Sequence, residues 1–260
     1  MRTMVLFLVF MGFAVGAWAD SIGDAVEVRI RSDNGRELPL YPAAARGNNH
    51  KVYAEAIKGD HYSIVVRNRL DRRVGIVIAV DGRNIISGKK SWLGNRERMY
   101  ILEPYGVGEF NGWRTGDDRV NRFYFTTAAD SYAAAFKDES AMGVIAVAVY
   151  PEIRRYEPPV EIYRGKSGAA PAAAPTMEKR AKSADRMEES AGTGYGREEY
   201  SPVRTVEFDP EPGAREKIYI RYEWRETLCR KGIIACGSYQ QPRNRMWADD
   251  GYAPPPPWRH

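Results

Sequence analysis

The chain has 260 residues, 28% of them charged and 43% hydrophobic, with a formal net charge of +5 at neutral pH. Its Lys and Arg are interspersed with Asp and Glu rather than massed in a basic stripe, which argues against nucleic acid as a partner. A mildly basic, solvated surface with some affinity for anionic envelope polymers is expected instead.

The first residues, MRTMVLFLVFMGFAVGAWADS, place Arg2 before the apolar run Met4–Val15 and the small-x-small triplet Ala17-Trp18-Ala19. That order is a secretory signal peptide over residues 1–19, too short to be a spanning helix. No later stretch is long and apolar enough to cross a bilayer, so no membrane span is expected once the leader is removed. A periplasmic or secreted location follows as an expectation.

Residues 20–156 carry strand patterns. Val26, Val28 and Ile30 alternate with charged residues, the mark of a half-buried strand. Lys51–Ala56 is a weaker candidate. Tyr62–Arg69 and Arg73–Val80 read as two strands of a meander joined by Leu70-Asp71-Arg72, and Asp81-Gly82 as a tight hairpin turn. Gly75–Val80 is apolar on both faces, as expected of a strand covered from both sides by a second sheet or a loop. Met99–Leu102, Val107–Arg114, Arg119–Phe125 and Met142–Tyr150 are further strands, and Ala128–Lys137 a short helix or ordered loop. About eight strands with turns at such spacing predict an antiparallel β-sandwich or jelly roll, with a small closed barrel as the alternative. About 130 residues suffice for one core.

From 157 to 191 an Ala/Pro stretch and the charged run Met177–Ser190 predict a disordered linker. Residues 192–240 form a C-terminal β segment in which Val203–Phe208 and Lys217–Trp224 are expected to pair as a hairpin. Two strands alone are marginal, so this unit should dock on the sandwich or on a partner. Residues 241–260 end in a polyproline II tail.

Cys229 and Cys236, closely spaced in an exported chain, predict a structural disulfide; their spacing is too wide for a redox C-x-x-C pair. Catalytic signatures are thin. His50, His61 and His260 form no zinc or hydrolase motif, the pairs Asp117-Asp118 and Asp138-Glu139 do not by themselves make a glycosidase site, and no cofactor or metal is expected. Gly192-Thr193-Gly194-Tyr195-Gly196 lacks a phosphate-loop frame and reads as a flexible hinge. The aromatics are more informative. Trp92, Tyr105 and Trp113, with Tyr100 and Tyr124 nearby and Gly94, Gly106, Gly108 and Gly112 beside them, either cap the core or form a stacking platform for sugars or peptides.

The runs YSIVVRNRLDRRVGIVIAVDGRNIISGKKS, NGWRTGDDRVNRFYFT, DSYAAAF and SAMGVIAVAVYPE, with GTGYG, YSPVRTVEF and KIYIRYEWRETLCRKGIIACG, resemble a family of bacterial exported proteins without an assigned function. The resemblance implies a single sandwich with a tethered C-terminal segment and carries no catalytic residues. The chain is therefore expected to be a non-enzymatic exported sandwich that binds or scaffolds a cell-envelope partner, a protein or a glycan. The alternative is a glycan- or peptidoglycan-binding module using Trp92, Tyr105 and Trp113.

Overall fold

The computed structural model describes residues 19–43, 47–154 and 190–236. The expected leader up to Trp18, the linker from 157 to 189, the polyproline tail and His260 lie outside the described residues.

In chain order the strands are β1 (Val26–Ser32), β2 (Leu40–Pro42), β3 (Asn49–Ala56), β4 (His61–Asn68) and β5 (Val74–Val80). Then come β6 (Arg83–Asn84), β7 (Tyr100–Leu102), β8 (Val107–Phe110), β9 (Gly112–Arg114), β10 (Arg119–Thr127) and β11 (Val144–Pro151). The C-terminal segment adds β12 (Ala191–Thr193), β13 (Glu198–Tyr200), β14 (Glu216–Trp224) and the short helix α1 (Arg225–Arg230). One sheet runs β1-β4-β10-β12, with β8 on β4 and with β9 and β13 on β10. The other runs β2-β3-β14-β11-β5-β6, with β7 on β5. Pairing is antiparallel except between β14 and β3. The protein is a β-sandwich.

The alternation seen in the sequence sets the core. Val26, Val28 and Ile30 of β1 and Tyr62, Ile64 and Val66 of β4 turn inward and are fully buried. They meet Val74, Ile76, Ile78 and Val80 from β5 across the sandwich. The opposite face of β5, Val77 and Ala79, packs with Ala146, Ala148, Tyr150 and Leu93, the last from the loop between β6 and β7. One face of β5 is thus covered by a sheet and the other by a loop, which is why its sequence is apolar throughout.

Two local expectations are corrected. β4 and β5 are not neighbours in a meander; they lie in different sheets, and residues 69–73 cross between them. Asn68 secures the crossover by donating to the carbonyls of Arg72 and Glu103 at 2.7 and 2.9 Å and accepting from the Leu70 N–H at 2.9 Å. Such an Asx turn satisfies backbone groups that a hairpin ladder otherwise would. The Asp81-Gly82 hairpin does form, with positive φ at both residues (48° and 77°) and Val80 opposite Arg83.

The second correction concerns the C-terminal segment. Val203–Phe208 and Lys217–Trp224 do not pair with each other. β14 is instead inserted between β11 and β3, burying Ile218, Ile220 and Tyr222 in the main core. Residues 201–209 run extended outside any strand, held at Ser201 and Val203 by the carbonyls of Asp118 and Asp117. Alternating β-branched and aromatic residues predict a strand but do not select its partner. Here the open positions beside β3 and β11 offer two ladders where a hairpin offers one. Cys229 and Cys236 are joined as a disulfide just after β14.

Candidate ligand-binding cleft

Trp113, Trp92 and Tyr105 do not form one surface. Trp113, on β9, is buried (2% exposed), so it is no stacking platform. Its indole N–H donates to the Gly194 carbonyl at 3.0 Å, and its ring meets Phe123 edge-on at 5.3 Å. A buried indole needs an acceptor for its N–H, and this one has it. Trp92 (69% exposed) and Tyr105 (60% exposed) project from different loops, one before β7 and the other after it. Tyr105 occupies a left-handed turn position with φ 58°, and the Lys90 ammonium lies 5.4 Å from the centre of the Trp92 ring.

The aromatic cleft lies elsewhere. Behind it stands Trp113, and in front of Trp113 the Tyr132 ring packs at 4.3 Å. Tyr195 stacks on Tyr132 at 5.4 Å, with only 15° between the planes, and Phe136 meets Tyr132 edge-on at 5.0 Å. Together with Tyr124 these rings line a cavity of about 420 Å³ that also takes in the polar residues Arg114, Thr115, Asp130 and Ser131. Tyr195 and Phe136 are 45% and 51% exposed, so both rings are partly open to solvent. Desolvation, with lesser effects from Tyr132 and Glu198, lifts the Tyr195 phenol above its ordinary range, so it stays a neutral hydrogen-bonding group at physiological pH.

The glycines of Gly192–Gly196 explain the wall. A Cβ on Gly194 would sit 2.2 Å from the Tyr124 ring, and one on Gly196 would lie 2.8 Å from the Arg122 carbonyl and 3.3 Å from Tyr124. The segment is pressed flat across that ring, so it is a close-packed wall and not a hinge. Its strand residue Thr193 is fastened from below. The Thr193 N–H donates to one Asp81 carboxylate oxygen at 2.7 Å, and the Gly143 N–H and Tyr222 hydroxyl donate to the other at 2.8 and 2.5 Å. The Thr193 hydroxyl links Tyr62 and Tyr222 at 2.7 and 2.8 Å. All four side chains are buried. Burial pushes Asp81 up to about 6, and drives both phenols well above their usual range.

Sequence reasoning missed Tyr132, Phe136 and Tyr195. The signals were present: Tyr132 and Phe136 flank a run of alanines in DSYAAAF, and Tyr195 is held between glycines. It also missed the meeting of Asp24, His50 and Glu216, which lie far apart in the chain but within 4.8 Å in space. The pairs Asp117-Asp118 and Asp138-Glu139 lie outside the cleft, where Asp130 is the one carboxylate among the lining residues. Glycoside hydrolysis by the usual route needs two carboxyl groups across a cleft, and the described lining supplies one.

A larger groove of about 780 Å³ runs between residues 95–103 and the extended arm 202–210. Its lining mixes charged and aliphatic side chains with Tyr100 and Phe208, and lacks the paired ring faces of the aromatic cleft. Compared with family models, curated proteins and solved structures, the chain matches none.

Proposed function

We propose that this is an exported, non-enzymatic β-sandwich that binds a cell-envelope glycan in the Tyr132–Phe136–Tyr195 cleft. The parallel Tyr132 and Tyr195 rings at a mouth rimmed by Thr115, Asp130 and Arg114 carry the reading. A sugar ring offers apolar C–H faces and equatorial hydroxyls, and rigid aromatic faces with a few placed polar groups complement both. Export to the periplasm or beyond rests on the leader pattern of residues 1–19 and agrees with a disulfide between Cys229 and Cys236. Among the described residues no helix is long and apolar enough to cross a membrane.

The test is retention on peptidoglycan and on envelope polysaccharide resins. Wild-type protein should be retained, Tyr195→Ala and Tyr132→Ala should lose retention while keeping the native circular dichroism spectrum, and Trp92→Ala should behave as wild type. Failure of the wild type to bind any of these resins removes the reading.

A second reading, scaffolding of an envelope protein, is favoured by one observation. Tyr200 at the end of β13 and Val203 and Val206 on the arm that precedes β14 are exposed, apolar positions that a partner strand or groove would cover. Capture of one envelope protein that depends on these three residues, with no glycan retention, would select it.

A further inference from the structure

We propose that Asp24, His50 and Glu216 form a binding site for a divalent first-row cation of the zinc class. The site is separate from the aromatic cleft and shares no residue with it. His50 Nε2 lies 2.9 Å from Glu216 Oε1 and 3.4 Å from Asp24 Oδ2, and the three ligand atoms all fall within 4.8 Å of one another. Ligands about 2.0–2.2 Å from a shared ion stand roughly 2.9–3.5 Å apart at octahedral or tetrahedral angles, and both distances from His50 are those of neighbouring positions in one coordination sphere. One imidazole nitrogen with two carboxylate oxygens suits zinc and its neighbours, and a cation of charge two balances the two carboxylates. Three protein ligands leave room for water.

The site is built rather than incidental. Glu216 is buried at the start of β14, and its carboxylate is held by the backbone N–H groups of Asp24, Ala25 and Val26 at 2.6, 2.9 and 3.3 Å. Gly23, at φ 111°, brings that backbone against the carboxylate; a Cβ there would lie 2.3 Å from the Val26 carbonyl and 2.7 Å from Ile218. One ligand is therefore fixed before the ion arrives, which lowers the ordering cost of binding. Coordination needs the nitrogen lone pair, so any proton on His50 Nε2 leaves to solvent as the metal binds. The three residues come from the approach to β1, from β3 and from β14, so the ion would tie an edge strand of one sheet to the C-terminal strand of the other.

Calorimetric titration of untagged, chelator-treated protein with zinc chloride at about pH 7.5 tests the site. One saturating zinc per chain is expected, with a raised melting temperature in its presence. Asp24→Asn should weaken binding roughly tenfold or more, and His50→Ala should abolish both the binding and the thermal shift. Absence of saturable binding to the wild type overturns the proposal, as does unchanged affinity in His50→Ala. Should His50→Ala fail to fold, Asp24→Asn decides the matter, because that side chain is exposed; unchanged zinc affinity there also overturns it.

Discussion

The buried carboxylate of Asp81 predicts an unusual pH dependence of stability. Its pKa rises from 3.8 to about 6 on folding, with burial the largest cause and the Tyr222, Thr193 and Gly143 donors opposing it. A folded pKa above the unfolded one means that the native state binds the proton more tightly. The resulting stabilisation is complete below about pH 4 and is lost as the pH climbs through 6, after which this group adds no slope. At about 1.36 kcal/mol per pKa unit, a rise of that size makes the loss about 3 kcal/mol. Carboxylates shifted the opposite way act in a lower window. Glu27, held down chiefly by its hydrogen bond to Arg29, and Glu97 and Asp138, where donors outweigh burial, withdraw stability only as the pH falls below their unfolded values of 4.5 and 3.8. Asp81→Asn isolates the effect. Asn tolerates the left-handed backbone of this turn but cannot ionise. A protonated acid can give its hydrogen to the Tyr222 oxygen and still accept both backbone N–H groups, whereas an amide leaves one of them facing its own NH₂. That mismatch costs about 1–3 kcal/mol. The Asp81→Asn protein should therefore be less stable than wild type near pH 4, and the difference should shift by about 2 kcal/mol in the variant's favour by pH 6.5. Urea unfolding of both proteins at half-unit pH steps measures it. Parallel stability curves between pH 4 and 6.5 would refute the reasoning.

Other consequences follow from close approaches and from topology. Gly194→Ala drives a methyl into the Tyr124 ring and should lower stability by about 1–3 kcal/mol, whereas Gly213→Ala, with nothing within 4 Å, should be nearly silent in the same thermal melts. Reduction of the Cys229–Cys236 bridge, or its replacement by two serines, should cost no more than about 2–3 kcal/mol, since the closed loop is short. The unfolded, unreduced protein should take up no alkylating reagent at either cysteine. Ending the chain at Glu157 removes β14 and exposes the ladders of β3 and β11, so the truncated protein should aggregate, and adding residues 190–236 as a separate peptide should restore soluble sandwich. Monomeric, cooperatively unfolding truncated protein would show that β14 is dispensable.

Much of the sandwich was legible because burial leaves a period-two trace. The inward residues of β1 and β4 are those that alternation selects, and β5 is apolar on both faces because a sheet and a loop cover it. Pairing left no such trace. β4 and β5 read as hairpin neighbours because nothing local distinguishes a tight turn from a crossover; the decisive group, Asn68, acts through carbonyls on both sides of the gap. The hairpin expected of residues 203–224 failed for the same reason, since its second half had better partners far upstream in β3 and β11. Trp113 looked like a loop aromatic because glycine precedes it, yet Gly112 is there to let the chain lie within 2.3 Å, measured from an added Cβ, of the Asn121 carbonyl.

The late placement of β14 also bears on how site and fold depend on each other. The cleft wall at Gly192–Gly196 and the cation ligand Glu216 both belong to the C-terminal segment, and both are fastened to the earlier chain by buried polar groups: Asp81 beneath Thr193, and the N–H groups of residues 24–26 around Glu216. Apolar packing of Ile218, Ile220 and Tyr222 supplies most of the attachment energy but is tolerant of register. A one-residue slip of β14 would turn these three side chains away from the core and carry Glu216 from its donors. The buried polar contacts thus select one register, and with it the alignment of Tyr195 over Tyr132. On this argument, substitutions at Asp81 or Tyr222 should impair glycan retention by displacing the wall, although neither residue lines the cleft.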